Sequence, residues 1–216
     1  SDDQKKALTW DVERGAPTQI ITEPWQRCSC IGDWHYKTEI YERDGYKSAA
    51  TVVKQLVDIV SKNGNLLLSI PLRADGTYDE KEAKVLDDLE AWMNVNKESI
   101  FGTRPWVKFG EGPVAEKAIA LNAQGFNDGQ YANMDWRDIR FNQTKKYLYV
   151  TAMGWPEDGQ LIVKALAKGN KDFKKPISTV YLLGYGKLKA RQTEDGLCVS
   201  LPKPTNEIAP VLRISK

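Results

Sequence analysis

Apolar positions along the chain change their period near residue 106, and that change predicts two kinds of architecture. In the first part, Val53, Leu56, Val57 and Val60 recur at helical spacing behind Ser48, a residue type that caps helices, and Asn63-Gly64 supplies a stop. The run Asn65–Pro71 follows without alternation, as a parallel strand covered on both faces would. After a loop over Arg73–Tyr78, Asp79 and Glu82 form a capping-box pair, and Leu86, Leu89, Trp92, Met93 and Asn96 mark a second helix. Ahead of these elements, residues 8 to 13, Ile20–Thr22 and Arg27–Ile31 read as short extended segments, broken by Gly15-Ala16-Pro17 and Glu23-Pro24.

Beyond Phe101–Trp106 the helical period is lost. Gly, Asn and Asp clusters cut the chain into β-rich runs at Ile139–Asn142, Lys146–Met153, Leu161–Ala165, Ser178–Leu183, Leu197–Leu201 and Val211–Ile214. Such spacing predicts an antiparallel sandwich or small barrel. Tyr147, Tyr149 and Thr151 alternate with Leu148, Val150 and Ala152, which predicts one strand with two distinct faces. The fold class is therefore α/β plus all-β, with residues 1–106 forming βα units and residues 107–216 a β-sandwich. Two βα units do not make a stable domain, because parallel strands need neighbours on both sides. The first part is accordingly expected to belong to something larger, its remainder on the same precursor or on another chain.

Composition narrows the function classes. Of 216 residues, 41% are apolar and 28% charged, which describes a chain that buries a core. No apolar run approaches the ~18 residues of a membrane span, and the opening SDDQKKA has no apolar stretch of the kind a signal peptide needs. A net charge of +2 argues against a nucleic-acid binder, and no membrane partner is expected. The balance is uneven: residues 1 to 106 carry 14 Lys+Arg against 18 Asp+Glu, and the remainder 17 against 11. Because no dense Lys/Arg stripe is visible in the second part, its charge reads as solvated surface. Cys28, Cys30 and Cys198 cannot all pair within the chain, and C-x-C with a single His is no zinc spacing, so the thiols read as small reduced hydrophobes.

Candidate chemistry concentrates between Leu8 and Tyr36, where three of the seven Trp (Trp10, Trp25, Trp34), the one His (His35) and Asp11, Glu13 and Asp33 lie together. Aromatic planes beside carboxylates suit a sugar, whose apolar face stacks while its hydroxyls seek charged acceptors. On a strand, Asp11 and Glu13 share a face, and neighbouring carboxylates can divide acid and nucleophile roles. Pairing of one of them with Arg14, Arg27 or a nearby Lys as an ordinary ion pair is the competing reading. His35 lacks a Ser or Cys partner for a triad.

Several segments resemble, in order, the retaining α-L-fucosidases of glycoside hydrolase family 29. They are Trp10–Gly15, Pro24-Trp25-Gln26 with Ile31–Tyr36, Leu56–Leu68, Asp75-Gly76-Thr77 and Ile100–Thr103. The resemblance implies the terminal βα units of a (β/α)8-like barrel followed by the family's C-terminal β-sandwich. It implies an exo-acting, double-displacement enzyme on fucosylated oligosaccharides or glycoconjugates, needing no metal or organic cofactor, with a periplasmic or secreted location favoured. Glu13 matches the segment of the general acid/base, Trp34 the aromatic position beside the fucose C5 methyl, and Trp25 a core position. The family's nucleophile Asp and its fucose-binding His residues lie on earlier strands that these 216 residues do not include. Asp11 is thus expected to be structural, and the chain alone to hold part of an active site. A non-catalytic carbohydrate-binding or interaction module is the alternative, and Glu13 discriminates, since a binding module needs no strand-end acid.

Overall fold

The computed structural model describes residues 2–117, 128–204 and 208–216. A short helix α1 (Asp2–Ala7) precedes β1 (Trp10–Glu13) and β2 (Trp25–Cys30). After α2 (Thr38–Glu42) come α3 (Ala49–Ser61), β3 (Gly64–Ser69) and α4 (Glu80–Asn96). The strands β1, β2 and β3 form a parallel sheet in that order.

Helix α3 starts where the pattern places it. The Ser48 hydroxyl accepts the Thr51 N–H at 3.2 Å, and Asn63 takes a left-handed backbone (φ 71°) that turns the chain into β3. Helix α4 is opened by the full capping box: Asp79 accepts the N–H of Lys81 and Glu82, while the Glu82 carboxylate accepts the Asp79 N–H at 3.0 Å. Ile20–Thr22, expected to be extended, is loop instead. Its backbone is tied to the end of α3, with the Asn63 amide donating to Ile21 O at 2.9 Å and the Ile21 N–H to Lys62 O at 3.2 Å.

Strand alternation gives the parallel sheet two unlike faces. Trp25 and Arg27, both fully buried, pack under α3 with Val12 and Ile59. Gly64 lies beside Trp25 in the register, and a Cβ there would come within 2.3 Å of the indole, so no larger residue fits. The opposite face is uncovered. Leu67 is 57% exposed, which corrects the expectation of a strand buried on both sides: among the described residues no layer packs against that face.

The second sheet contains β4 (Arg104–Glu111), β5 (Ile139–Gln143), β6 (Tyr147–Ala152), β7 (Gln160–Val163), β8 (Thr179–Leu182), β9 (Gly186–Gln192), β10 (Leu197–Ser200) and β11 (Val211–Ser215), with α5 (Pro113–Glu116) after β4. Its eight strands run in the order β4-β5-β6-β11-β8-β9-β10-β7, every pairing antiparallel. They curl around one apolar core that includes Phe141, Leu148, Leu161, Val180, Leu197 and Leu212. Glu111, at the end of β4, accepts the N–H groups of Lys164 and Ala165 just past β7, at 2.7 and 2.6 Å. The two edge strands are thereby tied together. The α/β plus sandwich architecture is as the pattern predicts, but β4 and β9 are additional. Strand β9 alternates three exposed cations with Leu188 and Ala190, and its low apolar content hides it from a hydrophobicity reading. Tyr149 and Thr151 are buried along with the inner face of β6, because a second apolar cluster containing Val53, Val57 and Trp92 of the helices packs on that side.

Helix α3 touches both sheets, and a charged cluster lies where they meet. Asp58 of α3 is completely buried. Its carboxylate accepts from Arg140 Nε of β5 at 2.6 Å, Lys62 Nζ at 2.8 Å and the Tyr131 hydroxyl at 2.9 Å. Burial alone would push this carboxyl up, yet the Lys62 and Arg140 charges outweigh it and hold Asp58 well below the usual carboxylate range. Burial pushes the Lys62 ammonium and the Arg27 guanidinium down from their ordinary values. The Arg27 guanidinium lies 5.0 Å over the Tyr131 ring, and Lys62 and Arg140 lie 4.8 and 5.4 Å over Phe109.

Candidate functional site

In a parallel sheet with helices on one side, ligand chemistry gathers at the carboxyl ends of the strands. All three loops leaving that edge carry residues of the sequence motifs. The register sets Asp11 beside Gln26 and Asn65, and Glu13 beside Cys28 and Leu67, all on the face turned away from α3. This gives a polar row at one level of the sheet and a carboxylate one step nearer its carboxyl edge.

Asp11 is anchored. Its carboxylate accepts from the Gln26 amide at 3.0 Å and from the Cys28 thiol at 3.2 Å. Burial, then the Asp11 hydrogen bond and charge, push the Cys28 thiol up to about 11, so it is a neutral donor and not a nucleophile. Of the three thiols Cys30 is buried, whereas Cys28 and Cys198 are half-buried; none is paired. Cys28 therefore serves as a hydrogen-bond donor to Asp11 and not only as a small hydrophobe.

Glu13 is the last residue of β1 and exposed, and its carboxylate accepts no hydrogen bond from the described residues. Next to it Arg14 takes a left-handed backbone (φ 48°), and its N–H donates to Cys28 O at 3.0 Å, continuing the ladder by one step. This bend ends β1 and turns the chain out of the sheet immediately after Glu13.

Trp34 stands on the loop that follows β2. It is 38% exposed and absent from the apolar clusters, so the role of a core aromatic does not apply to it. Trp25, by contrast, is fully buried and its indole N–H donates to Lys62 O at 3.0 Å. The Trp34 loop is fixed by Asp33, which accepts the Trp34 N–H at 2.7 Å and pairs with Lys37. Hydrogen bonds from Lys37 and then from the Trp34 N–H hold the Asp33 carboxyl below its ordinary range. His35 is exposed. On the third loop, Asp75-Gly76-Thr77 closes a tight turn, with Thr77 N–H on Asp75 Oδ1 at 3.0 Å and Gly76 at φ 82°. Arg73 of that loop lies 5.7 Å over the Tyr36 ring and joins it to the loop after β2.

Glu13 and Trp34 thus belong to adjacent strand ends of one sheet. Gln26, which belongs to the polar row, and Cys28, which donates to Asp11 from the next level, were legible only in the alternation of Trp25–Cys30, and Asp58 only as a lone acid between apolar Val57 and Ile59. What this arrangement can do chemically is present one unencumbered carboxyl and one aromatic plane at the open end of the sheet.

The sequence model described as "Alpha-L-fucosidase" matches residues 2–98, and the model described as "Alpha-L-fucosidase C-terminal domain" matches residues 134–215. Plasma alpha-L-fucosidase of Pongo abelii is 29% identical over 197 residues, covering 89% of this chain and 37% of that protein. The plasma alpha-L-fucosidase of Homo sapiens is 27% identical with the same coverage, so the chain spans little more than a third of the length of these relatives. Among solved structures, alpha-L-fucosidase isoenzyme 1 from Paenibacillus thiaminolyticus superimposes with a TM-score of 0.68 at 22% identity, over 95% of this chain and 44% of that one. A Bacteroides thetaiotaomicron enzyme, described as a glycoside hydrolase family 29 trapped covalent intermediate, gives 0.66 at 19% identity over 96% and 43%. These likenesses establish the fold as terminal βα units of the barrel joined to the β-sandwich.

Proposed function

Because the chain belongs to the α-L-fucosidase family, through part of its catalytic region and its C-terminal domain, we propose that it forms one wall of a retaining exo-α-L-fucosidase. The substrate is a fucosylated oligosaccharide or glycoconjugate, and the bond broken is a terminal α-L-fucosyl linkage. Glu13 is the general acid/base. It protonates the glycosidic oxygen as a nucleophilic carboxylate attacks the anomeric carbon, then takes a proton from the water that releases the fucosyl-enzyme. Trp34 supplies an apolar plane to the C5 methyl of the 6-deoxy sugar.

The observation that carries this reading is the placement of Glu13: a strand-end carboxyl on the uncovered face, with its neighbour Asp11 already engaged by Gln26 and Cys28. Asp11 is therefore read as structural. The nucleophile is an Asp of a preceding barrel strand, on the same precursor or another chain, and the exposed face bearing Leu67 is where the rest of the barrel seats. The division into a barrel part at residues 1–106 and a sandwich at 107–216 belongs to the same proposal.

An aryl α-L-fucoside tests it. The 216-residue chain alone releases no fucose, whereas the complete enzyme does. Release by the chain alone would place the nucleophile within these residues and overturn the assignment. Binding of fucosylated glycan by the complete protein without turnover would favour the non-catalytic module.

A further inference from the structure

The three exposed cations of β9 are separated in sequence, but the fold makes them a row. Lys187, Lys189 and Arg191 all point outward, alternating with Leu188 and Ala190, which pack against the sandwich core. Strand geometry spaces same-face residues by roughly 7 Å, so the row is about 14 Å long. The register brings Tyr181 of β8 beside Lys187, and Thr179 beside Lys189. Past β8 the same face continues to Arg213 of β11, which pairs with Tyr181 in the register. A groove of about 370 Å³ runs along this face, lined by Tyr147, Lys175, Thr179, Tyr181, Lys187 and Arg213 among others.

Arg213 is a fixture of the groove and not its free charge. Its guanidinium lies 4.9 Å over the Tyr147 ring and 4.6 Å over the Tyr181 ring, and Glu98 pairs with it at 2.9 Å. Lys187, Lys189 and Arg191 differ: among the described residues no carboxylate pairs with them. Between residues 171 and 193 there are six Lys or Arg against the single acid Asp172. Like charges at such spacing repel, and the strand keeps three on one face with no acid interleaved. A field of this kind attracts a polyanion. The acidic first part of the chain, with its excess of Asp and Glu, directs such a ligand to the sandwich and away from the barrel.

We propose that the β8–β9–β11 face of the sandwich is a docking site for a polyanionic glycan, one bearing sulfate or carboxylate groups. Lys187, Lys189 and Arg191 meet the anionic groups, and the groove at Tyr181 and Thr179 receives the sugar rings. The choice of a glycan over other polyanions rests on the fucosidase reading. The site holds the enzyme on an acidic polymer while the strand ends of the barrel work on terminal sugars.

The test uses the 216-residue chain with dextran sulfate, neutral dextran of matched length and single-stranded DNA, read by affinity electrophoresis and titration calorimetry. Two triple variants are compared, Lys187→Ala/Lys189→Ala/Arg191→Ala and Lys6→Ala/Lys84→Ala/Lys97→Ala, which remove equal charge from the sandwich and the barrel part. Thermal melts establish that both are folded. The proposal expects dextran sulfate to bind, neutral dextran not to, and affinity to fall with salt. It expects the β9 variant to bind at least about tenfold more weakly while the barrel variant stays within about twofold of the parent. Equal weakening in both variants would reduce the effect to net charge and overturn the site. DNA bound as tightly as dextran sulfate through the same three residues would overturn the glycan assignment. The readout needs no turnover, so a failed fucosidase assay on the complete enzyme leaves this result standing on its own.

Discussion

Replacing Asp58 by Asn keeps the side-chain shape and removes the one carboxylate that holds Lys62 and Arg140 together in the interior. At N···O distances of 2.6 and 2.8 Å, each pair is worth roughly 6 kcal/mol of gross attraction at an effective dielectric near 20. Desolvation offsets much of that, and removing one partner of a buried charged cluster costs about 3–5 kcal/mol net. For a chain of this size the same energy lowers Tm by roughly 6–20 °C. Urea unfolding followed by Trp fluorescence and calorimetric melting measure it directly. The double variant Asp58→Asn/Arg140→Met relieves one orphaned cation, so its loss is smaller than the sum of the single losses. The pH dependence has a definite sign. A carboxyl held below its unfolded value of about 3.9 contributes fully above that pH, and the contribution fades as pH falls toward the folded value. The parent therefore loses stability in acid faster than Asp58→Asn does. A loss below about 1 kcal/mol, strict additivity with Arg140→Met, or identical acid slopes would refute the view that this cluster fastens α3 to the sandwich.

Two further perturbations separate scaffold from site. Gly64→Ala sets a methyl 2.3 Å from the Trp25 indole and costs about 3 kcal/mol, with a shift in Trp emission; an unchanged urea midpoint would mean the sheet and α3 are looser than the packing implies. Trp34→Ala leaves the free energy of unfolding by urea within about 0.5 kcal/mol because the ring is absent from the apolar clusters, yet lowers kcat/KM of the complete enzyme by about 10- to 200-fold through the lost contact to the sugar methyl. Equal kcat/KM would remove Trp34 from the substrate.

Elements with strong periodicity or caps were readable from the residues alone. Ser48 and the Asp79–Glu82 box opened their helices as the pattern predicts, since those contacts are local. Strand β9 was not legible because its outward positions are charged, and its apolar partners, Leu188 and Ala190, declare themselves only against the sandwich core. Ile20–Thr22 has the apolar and β-branched content of a strand, but its backbone partners are the end of α3 and not a neighbouring strand. At the site, Glu13 and Trp34 could be singled out from motifs. Asp11's anchoring by Gln26 and Cys28 needed the parallel register, and the Asp58 cluster needed contacts across more than 70 residues of sequence.

The acid/base assignment is tested most directly by Glu13→Ala in the complete enzyme, assayed on an aryl α-L-fucoside with an activated leaving group, with and without azide. Loss of the acid/base slows release of the fucosyl-enzyme by about 10²–10⁴-fold, and azide, which needs no general base, restores turnover and leaves as a fucosyl azide that retains the substrate's anomeric configuration, because two inversions precede its release. Unchanged turnover, or a slow variant that azide does not accelerate, would contradict Glu13 as the acid/base.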